Sequence, residues 1–304
     1  MSSLEIKHLL GLQGVSANDI RIILDNAAEF RQVLDRKVKT LPPLRGVTVV
    51  NLFFENSTRT RISFELAEKR LSADIVNFAT SGSSVQKGET LLDTIKNIEA
   101  MKIDVVVVRH KGTGVPKFLV EHTDAVIINA GDGAHEHPTQ ALLDIFTMEQ
   151  NLGNLRGKTV TLVGDIKHSR VARSNAWGLN ALGAKVRFCG PPTLLPRNTG
   201  MLPVEVFNDV RKAVEGADVV YGLRLQKERM DDSLLPSIRE YRNFYGITRQ
   251  TLEKAKNALI MHPGPINRGV ELDSDIADGE NSVILEQVTN GVAIRMSVLF
   301  LLSR

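Results

Sequence analysis

The sequence has 304 residues, of which 42% are hydrophobic and only 5% aromatic, so about two domains with aliphatic cores are expected. A net charge of +3 without a basic run argues against a nucleic-acid partner. One cysteine, Cys189, excludes an internal disulfide and a multi-cysteine metal site and fits a cytoplasmic protein. The opening MSSLEIKHLLGL is too polar for a secretory leader, and no window approaches ~18 continuous apolar residues, so no membrane span is expected.

In chain order, short β-branched runs alternate with segments of helical period, the pattern of parallel sheets with crossover helices. Strands are expected at 47–54, 74–78, 104–108 and 125–129, then at 159–163, 185–189, 218–221 and 258–261. Helices are expected at 61–71, 90–101, 138–150 and 170–182. The segment NLGNLRGK (151–158) reads as a hinge between two similar α/β halves. The apolar helix at 285–302 is too long for a tail and is expected to pack back on the first half, making that domain 1–150 plus 287–304 and leaving 151–286 as the second. The fold class is thus α/β, two similar doubly wound parallel-sheet domains.

Ligands of open α/β sheets bind beyond the carboxyl ends of the strands. Six strand ends here deliver cations, amides or histidines: Glu55–Arg61, Arg109-His110, the run GDGAHEHPTQ, Lys167–Arg170, Arg224–Lys227 and His262–Pro265. In FENSTRTRISFE, Phe64, Ala67 and Leu71 mark a buried helix face, so the helix begins near Thr58 or Arg59. Its free N–H groups and positive dipole end attract an anion, Ser57, Thr58 and Thr60 add hydroxyls, and Arg59 offers a fork for phosphate oxygens. A lone Ser-Thr pair would read as a plain helix cap; two arginines directly after a buried strand favour the anion.

The remaining candidates are read the same way. Arg109 is either a surface charge or part of this site. His135-x-His137 could pair on a metal, but no third ligand stands at suitable spacing, so no metal is expected. Pro138 at the first turn of a helix would hold His137 and Gln140 near its N-terminus. The loop SGSSVQKGET, with Ser83 and Lys87, is either solvated or a lid that carries a cation over an anion.

Taken together, FENSTRTR, KGET, the RH after the valine run, HPTQ, VGDIKHSR, LRLQKER and HPGP resemble the aspartate/ornithine carbamoyltransferase family over nearly the whole chain. STRTR and HPTQ, about 80 residues apart, are specific to it. The ornithine enzymes usually carry lysine where this chain has Glu55 and an HCLP-like motif where it has His262–Pro265, so the resemblance is to the aspartate branch. Gly264 is a departure, standing where some members have leucine or alanine.

The resemblance implies that domain 1–150 with 287–304 binds carbamoyl phosphate and domain 151–286 binds aspartate. Ser57, Thr58, Arg59 and Thr60 would hold the phosphate, with Arg109 beside them. Thr60, Arg109 and His137 would reach the carbamoyl oxygen, and Gln140 with the carbonyls of Gly264 and Pro265 would orient the carbamoyl NH2. Arg170, Arg224 and Gln226 would bind the aspartate carboxylates. Ser83 and Lys87 would come from a neighbouring chain of a homotrimer. No cofactor is implied, and regulatory subunits are left open. Three competing readings are an ornithine carbamoyltransferase, a non-catalytic paralogue that binds phosphate, and a dinucleotide enzyme. The last is weak because LVGDIKHSR lacks GxGxxG spacing.

Overall fold

The computed structural model describes residues 3–79, 89–225 and 237–304. Within them the chain folds as two compact units, Met1–Leu143 with Thr289–Arg304, and Asp144–Val288.

The first unit opens with α1 (Ala17–Leu34), which starts where the Ser16 hydroxyl accepts the Asp19 N–H and buries Ile20, Ile23, Leu24, Ala27 and Phe30 at helical spacing. The sequence reading did not place this helix. Then follow β1 (Thr48–Phe53), α2 (Thr58–Arg70), β2 (Asp74–Ala79), α3 (Leu91–Glu99), β3 (Val105–His110), α4 (Val115–Val120) and β4 (Val126–Asp132). Among the described residues the four strands form one parallel sheet in the order β2-β1-β3-β4, so the carboxyl ends of β1, β3 and β4 are neighbours. β3 and β4 run further than the sequence suggested, to His110 and Asp132, because their polar ends still pair. The register slips between Val108 and His110, placing Arg109 at an irregularity of the kind that re-aims a side chain.

Helix α5 (Pro138–Leu152) contains the division between the units, which falls between Leu143 and Asp144. The segment 151–158 lies within the second unit. There β5 (Thr159–Val163), α6 (Arg170–Ala181), β6 (Lys185–Cys189), β7 (Val204–Phe207), α7 (Val210–Ala213), β8 (Val219–Gly222), α8 (Ile238–Tyr245), β9 (Leu259–Met261) and α9 (Ser274–Ala277) follow. Their parallel sheet has the order β7-β6-β5-β8-β9 among the described residues. The edge strand β7 was not anticipated: four residues with Glu205 and Val206 exposed carry no readable apolar alternation.

Helix α10 (Ile284–Leu302) ends the chain, and from Thr289 onward it belongs to the first unit. It is long and apolar enough by composition to cross a membrane, yet Ala293, Ile294, Met296, Val298 and Leu299 are fully buried. Ser297 Oγ donates to the Ile23 carbonyl at 2.7 Å, Phe300 stands edge-on to Phe30, and the Arg295 guanidinium lies over Phe64.

Candidate active site

In the first unit, the turn after β1 leads into α2 with Ser57 at the N-cap, and the Ser57 hydroxyl makes no capping hydrogen bond. No acidic residue occupies the first turn. The hydroxyl and the helix start are therefore not spent on each other, and a helix of thirteen residues presents its positive end at the carboxyl edge of the sheet. Thr58 and Arg59 are exposed, whereas Thr60 is buried to 9% exposure. Arg61, the second arginine of the motif, turns back along the helix to Glu65 at 3.5 Å.

Arg109 sits beside this turn because β1 and β3 pair with Phe53 opposite Arg109. One guanidinium nitrogen donates to Glu55 Oε1 at 2.8 Å and another to the Ala130 carbonyl at 3.3 Å. The fork is thus held from both neighbouring strands, which reduces the freedom it would lose on gripping an anion. The pairing of Glu55 with Arg109 spans 54 residues and leaves no local signal in the sequence. Next along β3, His110 Nδ1 accepts the Gly112 N–H, and burial holds this imidazole below its ordinary value.

β4 and α5 supply the third part. His137 is buried directly before α5, and its carbonyl accepts the Gln140 N–H at 3.0 Å, so the two sit one turn apart. A buried network fixes the approach to them. Asn129 Nδ2 donates to Asp132 Oδ1 at 2.8 Å, the Glu136 N–H donates to the same oxygen, and Glu136 accepts the Leu12 and Gln13 N–H groups. Burial alone would raise the Asp132 carboxyl, but hydrogen bonds from His135, the Gly114 N–H and Asn129 outweigh it and hold the group low. His135 is tied to Asp132 Oδ2 at 3.1 Å, and no metal-holding group occurs among the described residues. Gly133 has φ +48°, and a Cβ there would run into Thr113, so this sharp turn requires glycine.

In the second unit three adjacent strand ends converge. Ser169 caps α6 by accepting the Ala172 N–H, which leaves Arg170 as the first helical residue, 5% exposed, after β5. Arg224 follows β8, which pairs with β5 so that Val163 lies opposite Gly222. His262–Pro265 follows β9, where Gly264 has φ +64° and precedes a cis proline. That left-handed backbone explains glycine at this position, since a side chain there would be strained. Ser83, Lys87 and Gln226 lie outside the described residues. Cys189 is fully buried, and burial, then the Asp209 charge, push its thiol up to about 12, which removes it as a nucleophile at neutral pH.

Two family models match the chain: aspartate/ornithine carbamoyltransferase, carbamoyl-P binding domain, over residues 7–150, and aspartate/ornithine carbamoyltransferase, Asp/Orn binding domain, over residues 156–302. The aspartate carbamoyltransferase catalytic subunit of Gemmatimonas aurantiaca is 59% identical over 98% of this chain and 93% of its own length. That of Cytophaga hutchinsonii is 56% identical over 100% and 99%. Among solved structures, aspartate transcarbamoylase from Trypanosoma cruzi in complex with carbamoyl aspartate and phosphate superposes with a TM-score of 0.89 at 30% identity, covering 99% of this chain and 97% of that one. With likeness of this extent in both halves, the chain belongs to the aspartate/ornithine carbamoyltransferase family.

Proposed function

We propose that this protein transfers the carbamoyl group of carbamoyl phosphate to the amino group of L-aspartate, giving N-carbamoyl-L-aspartate and phosphate, a step of pyrimidine biosynthesis in the cytoplasm. The observation that carries this reading is the α2 start, whose N-cap hydroxyl makes no capping bond, beside an arginine fork already braced by Glu55. The relatives named aspartate carbamoyltransferase and the Trypanosoma cruzi complexes with carbamoyl phosphate and aspartate support it.

The residue roles are those implied by the family resemblance. Ser57, Thr58, Arg59 and Thr60 bind the phosphate through hydroxyls, backbone N–H groups and one guanidinium. Thr60, Arg109 and His137 donate to the carbamoyl oxygen, while Gln140 and the Gly264 and Pro265 carbonyls take its NH2. Arg170, Arg224 and Gln226 grip the aspartate carboxylates. The neutral α-amine attacks the carbamoyl carbon; a C–N bond forms, the oxygen becomes an oxyanion, and the C–O bond to phosphate then breaks as the amine proton passes to the leaving phosphate. Losing one oxyanion donor costs ~10²–10³ in rate. No metal or organic cofactor takes part.

The working assembly in this reading is a homotrimer in which Ser83 and Lys87 of one chain serve the neighbouring site. Ile62 and Leu66, one turn apart on α2, are 47% and 38% exposed, and Val76 of the edge strand β2 is 48% exposed. These exposed apolar side chains support contact with a second copy. Steady-state assays with aspartate and with ornithine test the reaction: turnover with ornithine alone would move the chain to the other branch. Mixing an Arg59→Ala variant with a Lys87→Ala variant is expected to recover part of the activity through hybrid trimers, and continued inactivity after proven subunit exchange would assign each site to one chain.

A further inference from the structure

A buried chain of hydrogen bonds in the second unit leads to the Gly264-Pro265 carbonyls from a residue outside the site. Asp144 is fully buried on α5 and is the first residue of this unit; Gln287, 3% exposed on α10, is the last but one. They mark where the chain enters and leaves the unit. Asp144 Oδ2 accepts from Asn175 Nδ2 of α6 and from the Tyr221 hydroxyl of β8, both at 2.8 Å. Its Oδ1 accepts from Gln287 Nε2 at 2.7 Å. Gln287 Oε1 in turn accepts the His262 N–H at 3.0 Å.

The direction of these bonds is forced. A backbone N–H can only donate, so the Gln287 atom facing His262 is its oxygen, and its NH2 must then point at an acceptor. Asp144 is that acceptor. Beyond His262 the same logic continues through the imidazole. Its Nδ1 accepts the Gly264 N–H at 2.9 Å, which puts the ring proton on Nε2, 3.4 Å from Glu271 Oε1, and that oxygen also accepts the Asn267 N–H. The loop 262–267 therefore hangs from Asp144 on one side and Glu271 on the other.

We propose that Asp144 is a positioning residue for carbamoyl transfer: by locking the Gln287 amide it sets where the His262 backbone, and with it the Gly264 and Pro265 carbonyls, stand. This rests on the carbamoyl-transfer reading above. Asp144 touches no substrate; it acts through Gln287.

The test reverses the polarity of the pair. Gln287→Glu sets two carboxyl groups against each other and removes the N–H donor, and kcat is expected to fall roughly 10- to 100-fold, as displacement of a positioned group by up to about 1 Å does. Binding of inorganic phosphate, measured by calorimetry, should be unchanged, since its ligands lie in the first unit. Adding Asp144→Asn to Gln287→Glu supplies the missing N–H, keeps an acceptor for His262, and should bring kcat back to within about threefold of wild type. Tyr221→Phe removes a donor to the same carboxylate without disturbing Gln287 and should leave kcat within about threefold.

Should Gln287→Glu fail to fold, recovery of soluble, active enzyme in the double variant supports the pairing. A folded Gln287→Glu with wild-type kcat, a double variant without recovery, a parallel loss of phosphate binding, or a loss in Tyr221→Phe equal to that in Gln287→Glu would each overturn the proposal. A wild-type enzyme unable to carbamoylate aspartate would instead overturn the reading on which it rests.

Discussion

The two units present their functional edges by different means. In the first, the proposed anion site is one contiguous stretch at a helix start, where backbone N–H groups are available to an anion and one neighbouring arginine is braced across strands. In the second, Arg170, Arg224 and the 262–265 loop come from three separate strand ends. The buried carboxylates behind these edges differ too. Asp144 accepts from Asn175, Tyr221 and Gln287, whereas Glu68, buried on α2 against β1, accepts one hydrogen bond from Asn51 at 2.8 Å and leaves its Oε1 without a partner. A phosphate can be held by a short local motif because helix geometry aligns the donors; a dicarboxylic acid needs separated cations, and these need a wider scaffold.

The largest expected effect tests the local motif. Arg59→Ala should cost on the order of 10³-fold in activity with the fold intact, because this side chain is exposed and contributes little packing. A near-wild-type rate would remove Arg59 from the phosphate grip and weaken the contrast at its root.

The contrast in carboxylates is tested by pH. Burial raises Glu68 from its ordinary 4.5 to about 7, ahead of a lowering hydrogen bond from Asn51, a raising charge from Glu65 and a lowering one from Lys69. The unfolded chain releases this proton near 4.5 while the folded chain holds it to about 7. Stability from this group is therefore full below pH 4.5 and declines as pH rises to about 7, by on the order of 3 kcal/mol. Glu68→Gln should be the more stable form at pH 8 and gain nothing at pH 4, as read by denaturant unfolding. An equal difference at both pH values would mean that Glu68 does not titrate in this window.

A dispersed site should fail piecewise. Arg224→Ala is expected to raise the KM for aspartate by roughly 10- to 100-fold, the worth of a charge-assisted hydrogen bond, with carbamoyl phosphate binding retained. Loss of carbamoyl phosphate binding instead would mean the half-sites are assigned the wrong way round. The smallest effect concerns the brace: Glu55→Gln keeps the shape but removes the charge facing Arg109, and kcat should fall about tenfold. An unchanged kcat would show that the charge of Glu55 adds nothing to the hold on the fork.

The legibility of the chain follows the same division. The strand runs, the start of α2 and the strand-end placement of Arg109, His137, Arg170 and Arg224 could be read directly, because each depends on periodicity or on residues a few positions apart. β7 was missed for want of a pattern, since a short edge strand half open to solvent needs no alternation. α1 was missed although its signals were present: a serine cap and apolar residues at Ile20, Ile23, Leu24, Ala27 and Phe30. The Glu55–Arg109 pair and the Asp144–Gln287 bond were invisible for another reason: they join residues 54 and 143 positions apart, and nothing in either neighbourhood names the other.

By itself the sequence determined the α/β alternation, the anion-ready helix start and the family signature, all of which arise from local backbone geometry and short-range pattern. Only the tertiary structure decided which arginine is braced and by what, which buried carboxylate is satisfied and which is not, and how the Gly264-Pro265 loop is hung. Those depend on strand order and register, which bring distant side chains within hydrogen-bonding distance.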